Sequence, residues 1–485
     1  MSDCGAISTI MNTHHYTSTV EDTVAVALHA GTDLNCGVFY ANYTQQALDK
    51  KTIVEADIDR ALQRTFEVLV RLGWFDPSEQ QPYRQLSKAD VDTPQSRQLA
   101  LESSQKSIVL LKNANRSLPL SVDRLSTGKI VLIGPTADAT VLMQGNYYGK
   151  APYLIDPITA IKNITAGRST NVQFARGCNI SDPDQSGFAA AIELAKSADV
   201  VIYIGGLDQT VERETADRTS IAVPDVQLAL IQQLEKVARS PLHIVIMSGS
   251  GLDLTYVRDS PLIGSLIWMG YAGQSGGTAI ANVLFGQYNP AGRLPFTMYP
   301  ASFVNTVSMF DMGMRPSSKN PGRTYKFYTG QAVFEFGSGL SYTTFVYSWN
   351  NDTARSSYSI SSLLKTNSAD DRIQLQSFRV NVTNTGDMAG DDVVLAFLKS
   401  SKATIDEQMA PLKELFGFQR INLAVSQTKE VFFPFHVRDL LTVAQDGSKW
   451  LHPGSYNILI GKQHIHTVQL FGRATRWASL KRVSP

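Results

Sequence analysis

Runs of apolar, β-branched residues alternate with amphipathic helical stretches through the middle of this 485-residue chain. A continuously apolar run is typical of a strand buried on both faces, and such strands belong to mostly parallel sheets covered by helices. Helices are predicted at about 93–111 and at 226–238, and strands at 129–134, 172–176, 198–205, 242–248 and 265–269. The pattern predicts an α/β domain with a mostly parallel sheet, which we assign to residues 97–300.

The last quarter of the chain has a different pattern, because apolar and polar residues alternate there as in strands with one buried face. Such strands are predicted at 375–383, 393–399, 431–437 and 456–461, and turn sequences separate some of them. This part is therefore predicted to be a small antiparallel β-sandwich, assigned to residues 361–485.

The first 76 residues are predicted to be mainly helical. Apolar residues recur every three or four positions over 55–73, with acids at the start and Arg71 and Gly73 at the end, which suits a helix dipole and a glycine stop. A second helix is predicted at 24–29 and a short strand at 30–34. This order is typical of the tail of a repeating β/α unit.

Two segments are predicted to connect these domains. Residues 77–96 are polar and carry three prolines, so we interpret them as a linker. From about residue 290 to 347 the chain is rich in glycine, proline and aromatic residues without clear periodicity. We assign an extended connector to residues 301–360, which we expect to pack over other parts of the protein.

Composition and charge exclude several classes of function. The formal net charge is +1, with no dense charged block, so neither nucleic acid nor an anionic membrane is an expected partner. No apolar run is long enough to span a bilayer. The three cysteines, Cys4, Cys36 and Cys178, are too scattered for a zinc site. No signal peptide is visible after Met1, although six sequons suggest secretion, at Asn42, Asn115, Asn163, Asn179, Asn351 and Asn381.

Two groups of carboxylates could carry chemistry. Asp3 is followed by small residues and could serve as a nucleophile or base, or alternatively as an exposed helix N-cap for residues 6–11. Five acids lie within residues 208–218, directly after the strand predicted at 198–205, where α/β proteins place ligands, although a solvated acidic loop is the alternative. Two facing carboxylates are the minimum for glycoside cleavage, and Asp3 with Glu214 could supply them.

Six motifs in order resemble glycoside hydrolase family 3, and within it the fungal-type β-xylosidases. They are SDCGAI at 2–7, AGTDLNCG at 30–37, IVLLKN at 108–113, ERETADR at 212–218, GQYNPAGRLP at 286–295 and GRTYKFY at 322–328. The resemblance implies a (β/α)8 barrel, an αβα sandwich and a fibronectin type III-like domain. Because the first motif belongs near the seventh barrel strand of the family, residues 1–76 are expected to be the C-terminal remnant of an incomplete barrel.

The resemblance also implies the chemistry. Asp3 would be the nucleophile of a retaining exo-glycosidase and Glu214 its general acid/base, with Glu212 as the alternative. Cys4 stands where β-glucosidases of the family usually have tryptophan, so it would contact the sugar and favour xylose. Cys36 follows the next strand end in the implied barrel, so the two cysteines could approach each other.

The function implied is release of xylose from the non-reducing ends of xylo-oligosaccharides in xylan degradation, without metal or organic cofactor. Other glycosidases of the family, an α-arabinofuranosidase or a β-glucosidase, are alternatives, as is an inactive fragment that self-associates through the incomplete barrel. The full-length family member is expected to be extracellular.

Overall fold

The structure, a computed structural model, describes residues 1–349, 354–365, 370–402, 404–405, 408–444 and 446–478. The sequon at Asn351 lies outside these residues. The described chain divides into two compact units, Met1–Val91 and Asp92–Ala478. Within the described residues, no helix has the length and apolar content needed to cross a membrane.

The first unit consists of helices packed around a small apolar core. The helices are α1 (Ala6–Asn12), α2 (Val20–His29), α3 (Phe39–Asp49) and α4 (Glu55–Arg71). Ile7, Val24, Ala47 and Ile53 are among the residues of this core. The helices predicted at 24–29 and 55–73 are thus confirmed, with small shifts of their ends.

The strand predicted at 30–34 is wrong, because these residues adopt turns and irregular backbone. A strand needs a partner along its length to satisfy its backbone groups. Residues 31–38 instead accept single backbone hydrogen bonds, from Ser2 N to Leu34 O at 2.8 Å and from Gly5 N to Cys36 O at 2.9 Å.

The second unit begins with the α/β domain, whose strands form a six-stranded sheet. The strands are β1 (Val109–Asn113), β2 (Lys129–Ile133), β3 (Asn171–Ala175), β4 (Val200–Gly206), β5 (Leu242–Met247) and β6 (Ile263–Trp268). Their order is β1-β6-β5-β4-β2-β3, and every pair is parallel except β1 with β6. The predicted mostly parallel sheet is confirmed.

Helices cover both faces of this sheet. They are α5 (Pro94–Ser107), α6 (Pro157–Ile164), α7 (Phe188–Lys196), α8 (Asp225–Val237), α9 (Thr255–Asp259) and α10 (Gly276–Leu284). In β4, Val201 and Tyr203 pack into one apolar cluster and Ile202 and Ile204 into the other, as the pleat of a strand requires. The helix predicted at 93–111 ends at Ser107, because residues 109–111 pair with β6 as the start of β1.

Residues 290–344 are largely irregular apart from the short helices α11 (Phe303–Thr306) and α12 (Thr324–Phe327). The C-terminal part that follows is a β-sandwich, as predicted. Among the described residues, it has two main sheets. One joins five strands in the order Glu414–Leu423, Gly390–Ser400, Gly454–Ile460, Gln463–Phe471 and Ser357–Ser359, and the other joins three in the order Thr428–His436, Gln374–Asn384 and Phe345–Trp349.

The C-terminal elements, in chain order, are β7 (Phe345–Trp349), β8 (Ser357–Ser359), α13 (Ile360–Lys365), β9 (Gln374–Asn384), β10 (Gly390–Ser400), β11 (Thr404–Ile405), β12 (Gln408–Met409), β13 (Glu414–Leu423), β14 (Thr428–His436), β15 (Leu441–Val443), β16 (Lys449–Leu451), β17 (Gly454–Ile460), β18 (Gln463–Phe471) and β19 (Thr475–Ala478). Phe378, Phe433 and Phe435 are fully buried between the two sheets. The strands predicted at 375–383, 393–399, 431–437 and 456–461 correspond to β9, β10, β14 and β17, and the other strands of this part were not predicted.

Candidate active site

The acidic loop begins where β4 ends, at the carboxyl edge of the parallel sheet. Gly206, the last residue of β4, has φ 129°, and a Cβ atom there would lie 2.0 Å from Met247 O. Only glycine fits this backbone, so the loop leaves the sheet in close contact with β5.

A tight turn presents Glu214 to solvent. Ala216 N donates to Arg213 O at 3.1 Å, and Thr215 has φ 67°, so Glu214 lies at the tip of the turn. Its side chain is exposed. Among the residues that the structure describes, none forms a hydrogen bond or ion pair with the Glu214 carboxylate.

Glu212, two residues earlier, is held firmly and is mostly buried, with 13% of its side chain exposed. Its Oε1 atom accepts hydrogen bonds from Gly249 N at 2.5 Å and from the Tyr271 hydroxyl at 2.7 Å. Its Oε2 atom accepts from the Ser250 hydroxyl and lies 3.6 Å from Arg218 Nε. Both carboxylate oxygens are therefore occupied.

Arg218 closes the same network from the other end of the loop. Its Nη2 atom donates to Ser250 Oγ at 2.7 Å and to Gly251 O at 2.9 Å. Burial lowers the pKa of Arg218, an effect that the Glu212 carboxylate opposes. The Arg218 Nη1 atom is buried and has no hydrogen-bond partner among the described residues.

Tyr271 completes the network from the segment that follows β6. Burial raises the pKa of its hydroxyl well above the ordinary value, and the hydrogen bond to Glu212 raises it further. The hydroxyl is thus a neutral donor at physiological pH. As a result, the segments that follow β4, β5 and β6 are joined at one edge of the sheet.

The sequence pattern indicated the acidic loop but not the residues that hold it. Gly249, Ser250 and Tyr271 carry no motif of their own. The signal that could have found them is positional, because segments following neighbouring parallel strands emerge at the same edge of the sheet.

Asp3 lies in the first unit, just before α1, and its side chain is exposed. Its Oδ1 atom accepts a hydrogen bond from Cys4 N at 2.7 Å. The N-cap of α1 is Gly5, with no side-chain capping bond, so the alternative reading of Asp3 as the helix cap is wrong.

Cys4 is joined to Cys36 by a disulfide, with 4.4 Å between the Cα atoms. The backbone of Cys36 donates to Ser2 Oγ at 3.0 Å, so the segment carrying Asp3 is fastened on both sides. Cys4 therefore presents a disulfide rather than a thiol, and its contact with a sugar stays a prediction.

No group of three or more His, Cys, Asp or Glu side chains among the described residues is arranged to hold a metal ion.

Two regions match known domain families. Residues 108–342 match the glycosyl hydrolase family 3 C-terminal domain, and residues 392–464 match the fibronectin type III-like domain.

Two curated relatives come from Aspergillus species. The probable exo-1,4-beta-xylosidase bxlB of Aspergillus fumigatus is 42% identical over 461 residues, which are 94% of this chain and 58% of that protein. The exo-1,4-beta-xylosidase xlnD of Aspergillus awamori is 39% identical over 471 residues, 95% of this chain and 58% of that protein. The chain thus spans 58% of the length of these two relatives.

Solved structures agree with these matches. A GH3 exo-beta-xylosidase (XlnD) in complex with a xylobiose aziridine activity-based probe has a TM-score of 0.89 at 35% identity, over 99% of this chain and 62% of that one. A beta-glucosidase from Listeria innocua has a TM-score of 0.77 at 22% identity, over 98% of this chain and 64% of that one, which shows a shared fold.

Proposed function

Because this chain belongs to glycoside hydrolase family 3, we propose that it acts as an exo-β-xylosidase on xylo-oligosaccharides, releasing xylose from the non-reducing end with retention. The substrate class is supported by the exo-1,4-beta-xylosidases to which the chain is similar and by the xylobiose-based probe bound to the solved relative. The structural observation that carries the choice of acid/base is the contrast between the hydrogen-bonded Glu212 and the exposed Glu214 within one loop.

Two carboxyl groups suffice for this reaction. In the first step, the Asp3 carboxylate attacks the anomeric carbon, the glycosidic C–O bond breaks, and Glu214 gives its proton to the leaving oxygen. In the second step, Glu214 takes a proton from water, the water oxygen bonds to the anomeric carbon, and Asp3 is released. The reaction needs no metal or organic cofactor.

Glu214 suits the acid/base role better than Glu212. A general acid/base must reach the substrate oxygen and then a water molecule, so its carboxyl group has to be accessible. Glu214 is exposed at the tip of its turn, whereas both oxygens of Glu212 accept hydrogen bonds within the protein. Glu212 is therefore assigned as a positioning residue that holds the loop.

The choice of xylose is assigned to the residue beside the nucleophile. The Cys4–Cys36 disulfide occupies the position after Asp3. We assign Cys4 to the wall of the sugar site, where it would favour xylose, which lacks the C6 hydroxymethyl group of a hexose.

The remaining assignments concern the setting of the enzyme. Disulfides persist in oxidising compartments, and the sequons at Asn42, Asn115, Asn163 and Asn179 have exposed asparagines, so an extracellular location is proposed. Residues 1–76 are assigned to the C-terminal remnant of a (β/α)8 barrel and 77–96 to a linker. The connector predicted at 301–360 is too long, because β7 and β8 pair with strands of the sandwich, so the connector ends before Phe345. Limited proteolysis that cuts within 77–96 before any other segment would support the assignment of this segment as a linker between domains.

Covalent labelling tests the nucleophile. The full chain is incubated with a xylobiose aziridine, and the labelled peptide is identified by mass spectrometry. Labelling at Asp3, and its loss in Asp3→Asn, is the expected result. Labelling at another carboxylate would overturn the assignment of Asp3.

Kinetics with p-nitrophenyl β-D-xyloside test the acid/base. Glu214→Gln is expected to lower turnover by about 10²- to 10⁴-fold, the usual contribution of general acid–base catalysis. Added azide is expected to restore turnover of Glu214→Ala, since azide needs no general base, and to yield xylosyl azide. Asp217→Asn, an exposed carboxylate of the same loop, is the matched control. Faster cleavage of p-nitrophenyl β-glucoside or α-arabinofuranoside than of the β-xyloside would show that the enzyme prefers that sugar to xylose.

A further inference from the structure

A cavity of about 560 Å³ lies between the irregular segment before the sandwich and the ends of the neighbouring strands β10 and β17. Its walls come from the region of α12 on one side and from the ends of β10 and β17 and the two residues before β13 on the other. This volume is within the range of small-molecule sites. The cavity belongs wholly to the second unit and contains neither Glu212 nor Glu214.

The charged side chains of the cavity are unbalanced. Lys399, Lys413 and Lys462 line it, and Glu335 is the single acid among its lining residues. Lys462 Nζ lies 3.2 Å from a Glu335 carboxylate oxygen, which leaves two ammonium groups without a carboxylate in the lining.

Lys413 is the central cation of this group. Its Nζ atom lies 4.7 Å from the centre of the buried Phe397 ring. Burial lowers the pKa of Lys413, Glu335 opposes this, and the ammonium groups of Lys462 and Lys399 lower it further. An anion bound among the three lysines would reverse this repulsion.

Aromatic rings and one unpaired hydroxyl complete the lining. Tyr325 and Phe336 stack with their centroids 4.3 Å apart, and Tyr328 lies in the same wall. Thr297 is 8% exposed, and its Oγ1 atom has no hydrogen-bond partner among the described residues.

We propose that this cavity is a second carbohydrate site, which binds a sugar that carries a carboxylate. The lysines would hold the carboxylate, the aromatic rings would contact the apolar face of the sugar ring, and Thr297 would bind a hydroxyl. A neutral sugar would leave the ammonium groups unpaired, and a simple inorganic anion would leave the aromatic wall unused. This binding site is independent of the proposed catalytic residues.

Binding of glucuronic acid to the full chain is measured by calorimetry at low ionic strength, with methyl β-D-glucoside and inorganic phosphate as comparison ligands. Glucuronic acid is expected to bind about tenfold more tightly than either, the difference made by one charge-assisted hydrogen bond. Its binding is expected to weaken with added salt.

Variants locate the site. Lys399→Gln/Lys462→Gln changes two exposed side chains without burying a new group and is expected to weaken glucuronic acid binding by about tenfold. Thr297→Val is expected to weaken it about two- to tenfold. Lys236→Gln/Lys429→Gln, two exposed lysines outside the cavity, is the matched control.

The proposal is overturned if glucuronic acid does not bind, or if the cavity and control variants bind it equally. Phosphate binding as tightly as glucuronic acid would reduce the cavity to a general anion site, and equal binding of the neutral glucoside would remove the role of the lysines. Both results contradict the proposal. Because each measurement reports binding rather than turnover, failure here leaves the proposed xylosidase activity unaffected.

Discussion

The Tyr271 hydroxyl lies 2.7 Å from Glu212 Oε1, so the segment after β6 is fastened to the loop after β4 that carries Glu214. Glu212 takes part in no proposed proton transfer. It fixes the position of the turn at 213–216, because the backbone N–H of Gly249 and the hydroxyl of Ser250 donate hydrogen bonds to the same carboxylate.

Substitution of Glu212 should therefore affect mainly stability, and substitution of Glu214 mainly activity. Glu212→Gln leaves the mostly buried Arg218 without its carboxylate, and breaking such a pair costs about 3–5 kcal/mol of unfolding free energy. Glu214→Gln changes an exposed side chain and should alter stability by less than about 0.5 kcal/mol. Urea unfolding and xyloside kinetics on both variants check this. Equal stability of the two variants would contradict the positioning role of Glu212.

Tyr271→Phe isolates one bond of the network. The variant keeps the ring but removes a hydrogen bond to a carboxylate, which should lower the free energy of unfolding by about 1.5–3 kcal/mol. We expect kcat/KM to fall. Because Glu214 itself is unchanged, the pH profile of kcat should keep its shape. Tyr256→Phe, which removes the hydrogen bond to Glu235 elsewhere in the domain, is the control. A changed pH profile would instead indicate that Tyr271 takes part in proton transfer.

The Cys4–Cys36 disulfide closes a loop with a sequence separation of 32 residues. In the chain-entropy model, a loop of this length corresponds to about 3–4 kcal/mol of stabilisation. We expect the variant Cys4→Ala/Cys36→Ala to show faster hydrogen exchange in α1 and α2, measured by mass spectrometry. Reductant should reproduce this in the native chain and have no effect on the variant. Unchanged exchange would show that the disulfide does not stabilise these helices.

Asp57 should make the stability of α4 depend on pH. The backbone N–H of Val54 holds the pKa of Asp57 below its ordinary value of 3.8, burial opposes this, and Arg60 and His29 lower it further. Because the folded pKa is depressed, the stabilisation is complete above about pH 3.8 and is lost as the pH falls through the folded pKa.

The variant Asp57→Asn should therefore show faster exchange of α4 amides than the native chain at pH 7, with the difference in stability narrowing near pH 3. Asp59→Asn, on the same helix, is the control because its side chain is exposed. A difference that persists undiminished at pH 3 would argue against ionisation of Asp57 as its cause.

The α/β domain and the sandwich are joined by a buried ion pair. Asp392, which is fully buried, accepts hydrogen bonds from Arg293 Nη2 and from the Tyr347 hydroxyl, both at 2.7 Å. Asp392→Asn should lower the free energy of unfolding by about 3–5 kcal/mol, and Tyr347→Phe by about 1.5–3 kcal/mol. Thermal unfolding checks both, with Asp387→Asn, an exposed carboxylate, as control. A smaller loss for Asp392→Asn than for Tyr347→Phe would contradict the assigned ion pair.

The sequence alone determined those elements whose burial follows from the order of their apolar and polar residues. Continuously apolar runs such as Val200–Gly206 can be buried only as central strands, and the spacing of apolar residues with terminal charges defined Glu55–Arg71. The acidic loop was located in two ways. It follows a buried parallel strand, and such loops lie at the ligand-binding edge of the sheet. It also contains one of the ordered motifs.

Tertiary structure decided what depends on distant partners. The segment at 30–34 has strand-like composition but no strand beside it, and residues 109–111 continue a helical pattern but pair with β6. The sequence left open whether Cys4 and Cys36 form a bond, and it kept Glu212 as an alternative to Glu214. Their difference comes from Gly249, Ser250 and Tyr271, which lie 37 to 59 residues further along the chain, and only folding brings such groups to one carboxylate.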